Sequence, residues 1–90
     1  MSLNFPNLSR SYDAVGHCIR FWGYESAMEV PFFVDAAALS LIDPGASRDE
    51  PGLLGVFDAH RDRVIEIARN VYSRGRRGSY VLASTDVRRA

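Results

Sequence analysis

The stretch from Glu50 to Arg74, EPGLLGVFDAHRDRVIEIARNVYSR, decides the fold. Its apolar residues recur at intervals of three and four, which is the spacing of one helical face. They are Leu53, Leu54, Phe57, Val64, Ile65, Ala68, Val71 and Tyr72. Pro51 suits the first helical turn, where its missing N–H has no partner in any case. The stretch therefore predicts one amphipathic helix on the order of 36 Å long, enough to cross a small sheet.

His60 and Arg61 interrupt this apolar face. One interpretation places both at the border of the stripe, with the stem of Arg61 covering apolar neighbours and its charged head in water. The other is a polar contact that the fold requires, such as Arg61 paired with a carboxylate from the strands. A buried arginine is costly unless it is paired, so the second interpretation predicts a visible partner.

The rest of the chain predicts strands on both sides of the long helix. Alternation and turn residues indicate strands at 11–14, 17–24, 27–34 and 80–85, and Asp35 caps a short helix, AAALSLI. The sequence thus predicts an α+β fold, a small β-β-β-α-α-β layer sandwich. A mainly antiparallel sheet is covered on one face by the long helix. We expect one domain over residues 1–90, with an extended arm at 1–9 and a frayed tail at 87–90.

Alternation also sorts the strand residues between the two faces of the sheet. Eight of them are expected to face the helix: Ile19, Phe21, Met28, Val30, Phe32, Val34, Tyr80 and Leu82. The opposite face would present Arg20, Trp22, Phe33 and Val81, which is more apolar than a solvated face should be. We expect this face to meet a second copy or another protein. The alternative is that the N-terminal arm, with Leu3 and Phe5, folds over it.

Length and composition restrict the class of protein. Ninety residues, 47% of them hydrophobic, are typical of one globular domain. No run approaches the roughly 18 apolar residues of a membrane span, and the first residues lack the pattern of a secretory signal. We therefore expect a cytoplasmic protein with no membrane contact. Residues 1–60 carry a net charge of −5 and residues 61–90 a net charge of +5.

No residue pattern in the sequence indicates catalysis. Cys18 is the only cysteine, so no intrachain disulfide forms, and His17, next to it on a strand, points to the other face. We expect no metal site, no cofactor and no nucleophilic centre, since a thiol in the middle of a strand is usually inert. The predicted function is that of a non-catalytic protein-interaction module rather than an enzyme.

The arginines after the long helix support an alternative function. Arg74, Arg76 and Arg77 cluster at a turn that is flanked by glycines, and Tyr80 follows. Guanidinium groups match phosphate geometry, and an aromatic ring can stack on a base. The alternative is therefore weak binding of a nucleic acid or another anion. Against it, cations are also favoured at a helix C-terminus for electrostatic reasons alone.

Five segments carry a resemblance to a known family: RSYD, IRFWG, EVPFFVDAAAL, FDAHRDRVIEIA and RGRRGSYVL. Together they resemble a small bacterial family known only as a domain of unknown function, the 1488 family. The resemblance spans nearly the whole chain. It implies a compact α+β domain and includes His60 and Arg61 in the family pattern. It implies no activity and no functional residues.

Overall fold

The computed structural model describes residues 3–6, 9–75 and 80–89. The predicted α+β class is confirmed, with five strands and four helices among these residues. In chain order they are β1 (Leu3–Asn4), β2 (Arg10–Asp13), β3 (Cys18–Glu25), β4 (Met28–Asp35), α1 (Ala36–Ile42), α2 (Glu50–Ala59), α3 (Arg61–Ser73), β5 (Tyr80–Leu82) and α4 (Ser84–Arg89).

The sheet is built on the β3–β4 hairpin. Its register runs from Cys18 opposite Asp35 to Glu25 opposite Met28. β1 and β2 both pair antiparallel with β3, and β5 joins β4 in parallel. The sheet is therefore mainly antiparallel, as predicted. We call the face that carries Phe21, Phe32 and Tyr80 the helix side, and the face that carries Arg20, Trp22, Phe33 and Val81 the outer face.

The core lies between the helix side and the four described helices. Phe21 contacts Phe57 of α2 with ring centroids 5.0 Å apart, and Phe32 contacts Tyr72 of α3 at 6.4 Å. Seven of the eight strand residues expected here are buried. The prediction for Met28 is wrong, since its side chain is 52% exposed. It lies at the hairpin end of β4, so the alternation continues past the point where the helices cover the sheet.

The single long helix predicted over residues 50–74 is wrong in one respect, because the chain bends at His60. That residue has φ −118° and ψ 29°, which ends α2 and starts α3. His60 lies on the buried stripe between Phe57 and Val64, where the sequence supplies no apolar side chain. The bend leaves the imidazole partly exposed, with Nε2 3.8 Å from Oδ2 of Asp43.

The predicted frayed tail at residues 87–90 is also wrong over the described part of it. Ser84–Arg89 form α4, and Asp86 accepts a hydrogen bond from the backbone N–H of Ala83 at 2.9 Å, which caps the helix. Val87 is 3% exposed and belongs to the core. One buried valine and one capping carboxylate give this segment the contacts that a free tail would lack.

Leu3 and Phe5 of the N-terminal arm lie on the helix side. Leu3 pairs with Glu25 at the edge of β3, and the ring of Phe5 lies 5.5 Å from that of Phe32. A Cβ on Gly23 would come within 2.8 Å of the Phe5 ring, so this close approach requires a glycine. Arg69 of α3 donates a hydrogen bond to the carbonyl of Leu3.

Candidate functional site: the outer face of the sheet

The outer face brings together the four residues that the sequence analysis assigned to an interface. Arg20 lies directly opposite Phe33, Phe33 lies opposite Val81, and Trp22 is the next residue of β3 on the same face. Val81 is 53% exposed, whereas Trp22 and Phe33 are partly exposed. Within the described ranges, neither ring belongs to the core cluster or packs against it.

Arg20 partly covers the two rings. Its guanidinium carbon lies 5.1 Å from the centroid of the Trp22 ring and 5.8 Å from that of Phe33. A guanidinium over an aromatic face at this distance is attracted by the ring quadrupole. The charged side chain of Arg20 therefore shields part of both rings from solvent.

The alternative prediction, that the N-terminal arm folds over the outer face, is wrong for Leu3 and Phe5. The arm residues Leu3 and Phe5 pack against the helix side, where Phe5 contacts both Phe21 and Phe32. The reason is the register of β1: Leu3 is opposite Glu25, which shares a face with Phe21. A strand residue on that face points toward the helices and cannot cover Trp22.

Acidic residues lie at both ends of the outer face. Asp13 and Asp35 flank Cys18 in the register, and Glu29 lies opposite Tyr24 at the other end, roughly 20 Å along β3. Among the described residues that the register places on this face, three carboxylates accompany one guanidinium, that of Arg20. The centre of the face is therefore aromatic and its two ends are negative.

Two of these carboxylates also cap local structure. Asp13 accepts hydrogen bonds from the backbone N–H groups of Val15 at 3.0 Å and Gly16 at 3.2 Å. Asp35 accepts one from Ala38 at 2.8 Å and so caps α1. The interface predicted from the sequence contains none of these three acids, and Asp35 is predicted there only as a helix cap. Alternation along β4 places Glu29 on the same face as Phe33, whereas placing Asp13 requires the register of β2.

Cys18 lies between these two carboxylates and is buried. Burial raises the pKa of its thiol, and the negative charges of Asp13 and Asp35 raise it further. A raised pKa leaves less of the nucleophilic thiolate at neutral pH. Among the described residues, no group of three His, Cys, Asp or Glu side chains is arranged to hold a metal ion.

The predicted anion site is only partly described. Arg76 and Arg77 lie outside the described residues. Arg74 forms an ion pair with Asp86, with Nη1 3.1 Å from Oδ1. The role predicted for Tyr80 needs correction, because its ring is 1% exposed and stacks on Phe32, so it cannot take a base from solvent.

Arg61, one of the two polar residues that interrupt the apolar face of the helix, has its contacts on the helix side of the fold. Arg61 lies over the Phe57 ring, with its guanidinium carbon 4.8 Å from the centroid, and pairs with Asp58 at 3.5 Å. Arg10 of β2 pairs with the same carboxylate at 2.7 Å. The strands therefore supply a cation to this cluster, and α2 supplies the acid.

The segments quoted above and this fold agree with one family. A protein-family model described as "Protein of unknown function (DUF1488)" matches residues 3–82. The chain belongs to the DUF1488 family. No curated protein matches the chain at a significant level.

A DUF1488 protein of known structure has the same fold. The chain is similar to a crystal structure of a protein of unknown function from this family in Shewanella loihica PV-4, with a TM-score of 0.77 and 16% sequence identity. The match covers 89% of this chain and 90% of that chain. The family is described only as being of unknown function. Separately, none of the described helices is long and apolar enough to cross a bilayer.

Proposed function

We propose that this DUF1488 protein is a non-catalytic protein-interaction module that binds its partner through the outer face. The observation that carries the proposal is the partly exposed aromatic centre, Trp22 and Phe33, in a domain whose described helices pack on the helix side, as do Leu3 and Phe5 of the N-terminal arm. Aromatic and arginine side chains are the residue types that contribute most at protein interfaces.

The geometry of the aromatic centre supports binding over a purely structural role. Rings that served the core would be buried like Phe21 and Phe32, which are almost fully excluded from solvent. Val81 extends the apolar surface onto β5 and is 53% exposed. Paired strands of one sheet carry all of these side chains, so a partner would meet a preformed surface.

The two alternatives have less support. Self-association through the same face would bring the acidic ends of two copies together, which is unfavourable. Anion binding would need arginines that are free to meet a phosphate, but Arg74 is paired with Asp86 and the ring of Tyr80 is buried. That function stays a prediction that rests on Arg76 and Arg77.

A paired-variant capture experiment tests the proposal. Trp22→Thr with Phe33→Thr removes the aromatic centre and keeps residues that favour strands. Leu41→Gln is the matched control, because it changes an exposed apolar residue outside the outer face. All three proteins are used as bait in native cell extract, and each captured protein is purified and tested for binding again.

The expected result is a partner that binds the parent protein and the Leu41→Gln control alike. The double variant should bind it at least about tenfold more weakly, which corresponds to about 1.4 kcal/mol. Circular dichroism should show that all three proteins are folded. Equal binding by the double variant would contradict the proposal.

A further inference from the structure

The charges of the outer face indicate which kind of partner it fits. Asp13 and Asp35 lie at one end and Glu29 at the other, and Arg20 occupies the centre. Carboxylates at the ends of an apolar surface favour lysine or arginine in the partner and repel acidic segments. The same carboxylates disfavour nucleic acids and anionic membranes, which carry negative charge themselves.

A second copy fits this face poorly. In a symmetric dimer the same patch meets itself across a twofold axis. With the axis along the strands, Asp13 and Asp35 of one copy face the same residues of the other. With the axis across the strands, they face Glu29. Each arrangement opposes like charges, which is unfavourable.

The dimensions of the face suggest a helix as the partner element. The acidic ends are separated by six residues of β3, or roughly 20 Å. A helix of about 14 residues spans that length. A sheet face binds through side chains alone, whereas an added strand would need a free sheet edge.

Resting on the proposed function, we propose that the outer face binds a basic amphipathic helix of another protein. Its apolar stripe would pack on Trp22, Phe33 and Val81. Its lysine or arginine side chains would reach the carboxylates of Asp13 and Asp35 at one end and Glu29 at the other. Arg20 would remain over the rings at the centre of the contact, beside the apolar stripe.

Trp22 provides the readout, because it is the only tryptophan in the chain. The probes are two capped peptides of about 14 residues with the same leucine stripe, one with lysine and one with glutamate on the polar face. Neither peptide contains tryptophan. Binding to the outer face should shift the Trp22 emission to shorter wavelength, since a docked helix removes water from the indole.

We expect the lysine peptide to bind at least about tenfold more tightly than the glutamate peptide, and its binding to weaken as salt rises from roughly 50 to roughly 500 mM. Asp13→Asn with Glu29→Gln and Asp35→Asn should weaken it about tenfold. The asparagines keep the side-chain oxygens that cap the turn and α1. Glu66→Gln on α3 is the matched control and should bind like the parent.

The outcomes separate this inference from the proposed function. The proposal of a basic helix would be overturned if the two peptides bound equally well, or if the triple variant bound the lysine peptide as tightly as the parent does. If calorimetry then shows that Trp22→Thr with Phe33→Thr abolishes binding of both peptides, the outer face still stands as an interaction surface. Lysine-peptide binding that survives this double variant overturns both proposals. If the parent protein self-associates and the double variant does not, the partner of the outer face is a second copy of the chain and not a basic helix.

Discussion

At the scale of single residues, the pair formed by Arg10 and Asp58 ties the strands to α2. Both guanidinium contacts are short, with Nε 2.8 Å and Nη2 2.7 Å from the two carboxylate oxygens. The hydrogen bonds from Arg10 lower the pKa of Asp58 below its ordinary value. A lowered pKa in the folded protein means that this carboxylate stabilises the fold when it is ionised.

Replacing Asp58 by Asn should therefore destabilise the protein in a way that depends on pH. Both side chains are partly solvated, so we expect a loss of at most about 1 kcal/mol near neutral pH. The difference from the parent should shrink as the pH falls from about 5 to below the ordinary aspartate pKa of 3.8, because the parent then protonates through its lowered pKa. Urea unfolding at several pH values measures it. A difference independent of pH, or an equal loss in Glu66→Gln, would contradict the role of the ion pair.

The thiol of Cys18 should react slowly in the folded protein. Burial and the charges of Asp13 and Asp35 raise its pKa, so little thiolate is present at neutral pH. We expect labelling by a disulfide reagent to be at least about tenfold slower in the native protein than in urea, and to accelerate as the pH rises above the ordinary thiol range of roughly 8 to 9. Native labelling as fast as in urea would show that the side chain is accessible.

How far the sequence predicts single positions depends on the signal at each one. Alternation on β3 and β4 is regular, so Arg20, Trp22 and Phe33 were placed correctly on one face. Tyr80 is different, because alternation predicts that it faces the helix, whereas its neighbouring arginines predict that it belongs to an anion site. The register of β5, which pairs Tyr80 with Phe32, decides between the two predictions and assigns the ring to the core.

At the scale of elements, the bend at His60 shows why helix boundaries are hard to predict. The three-and-four spacing is interrupted at His60 and Arg61 but resumes in phase at Val64, so periodicity predicts one continuous helix. Tertiary contacts accompany the bend: Phe57 packs on Phe21, and Nε2 of His60 lies 3.8 Å from Oδ2 of Asp43. Those partners are distant in sequence, so no local pattern could reveal them.

Two glycines of α2 provide a test of this element. Gly55 has open space where a Cβ would lie, so Gly55→Ala should stabilise the protein by about 0.5–1 kcal/mol through helix propensity and a less flexible unfolded chain. At Gly52 a Cβ would clash with Ser47, which also donates a hydrogen bond to the capping residue Asp49. Gly52→Ala should therefore destabilise the protein. Thermal unfolding of both variants checks this, and stabilisation by both would contradict the described junction.

The C-terminal helix α4 offers a second test. Val87 is 3% exposed, whereas Val15, in the turn before β3, is 99% exposed. Val87→Ala removes two buried carbon atoms and should cost about 1–2 kcal/mol, while Val15→Ala should have little effect. Urea unfolding compares the two variants. Equal effects would favour the frayed tail that the sequence predicted.

At the scale of the whole molecule, the described ion pairs do not simply join the negative first half of the chain to the positive second half. Arg10 pairs with Asp58 within the negative half, Arg74 pairs with Asp86 within the positive half, and Arg61 joins the two halves through Asp58. On the outer face, Asp13 and Asp35 accept hydrogen bonds from the backbone N–H groups of Val15 and Ala38, respectively. Because these donors are neutral, they do not cancel the negative charge of the carboxylates. The fold thus keeps an acidic surface on a chain whose formal net charge is zero.

These outer-face acids should also keep copies of the protein apart. Neutralising them by Asp13→Asn, Glu29→Gln and Asp35→Asn removes the like charges that oppose pairing and leaves the aromatic centre intact. We expect the triple variant to dimerise as its concentration rises, and to do so more than the parent at the same concentration. Sedimentation velocity measures the difference.

The control for this prediction removes three acids elsewhere, with Glu50→Gln, Asp62→Asn and Glu66→Gln, all of them exposed. Both triple variants have the same net charge, so net charge alone predicts the same behaviour for both. Dimerisation of the outer-face variant alone would locate the repulsion on the aromatic surface. If the two variants sediment alike, the acidic ends do not govern which molecules the outer face can meet.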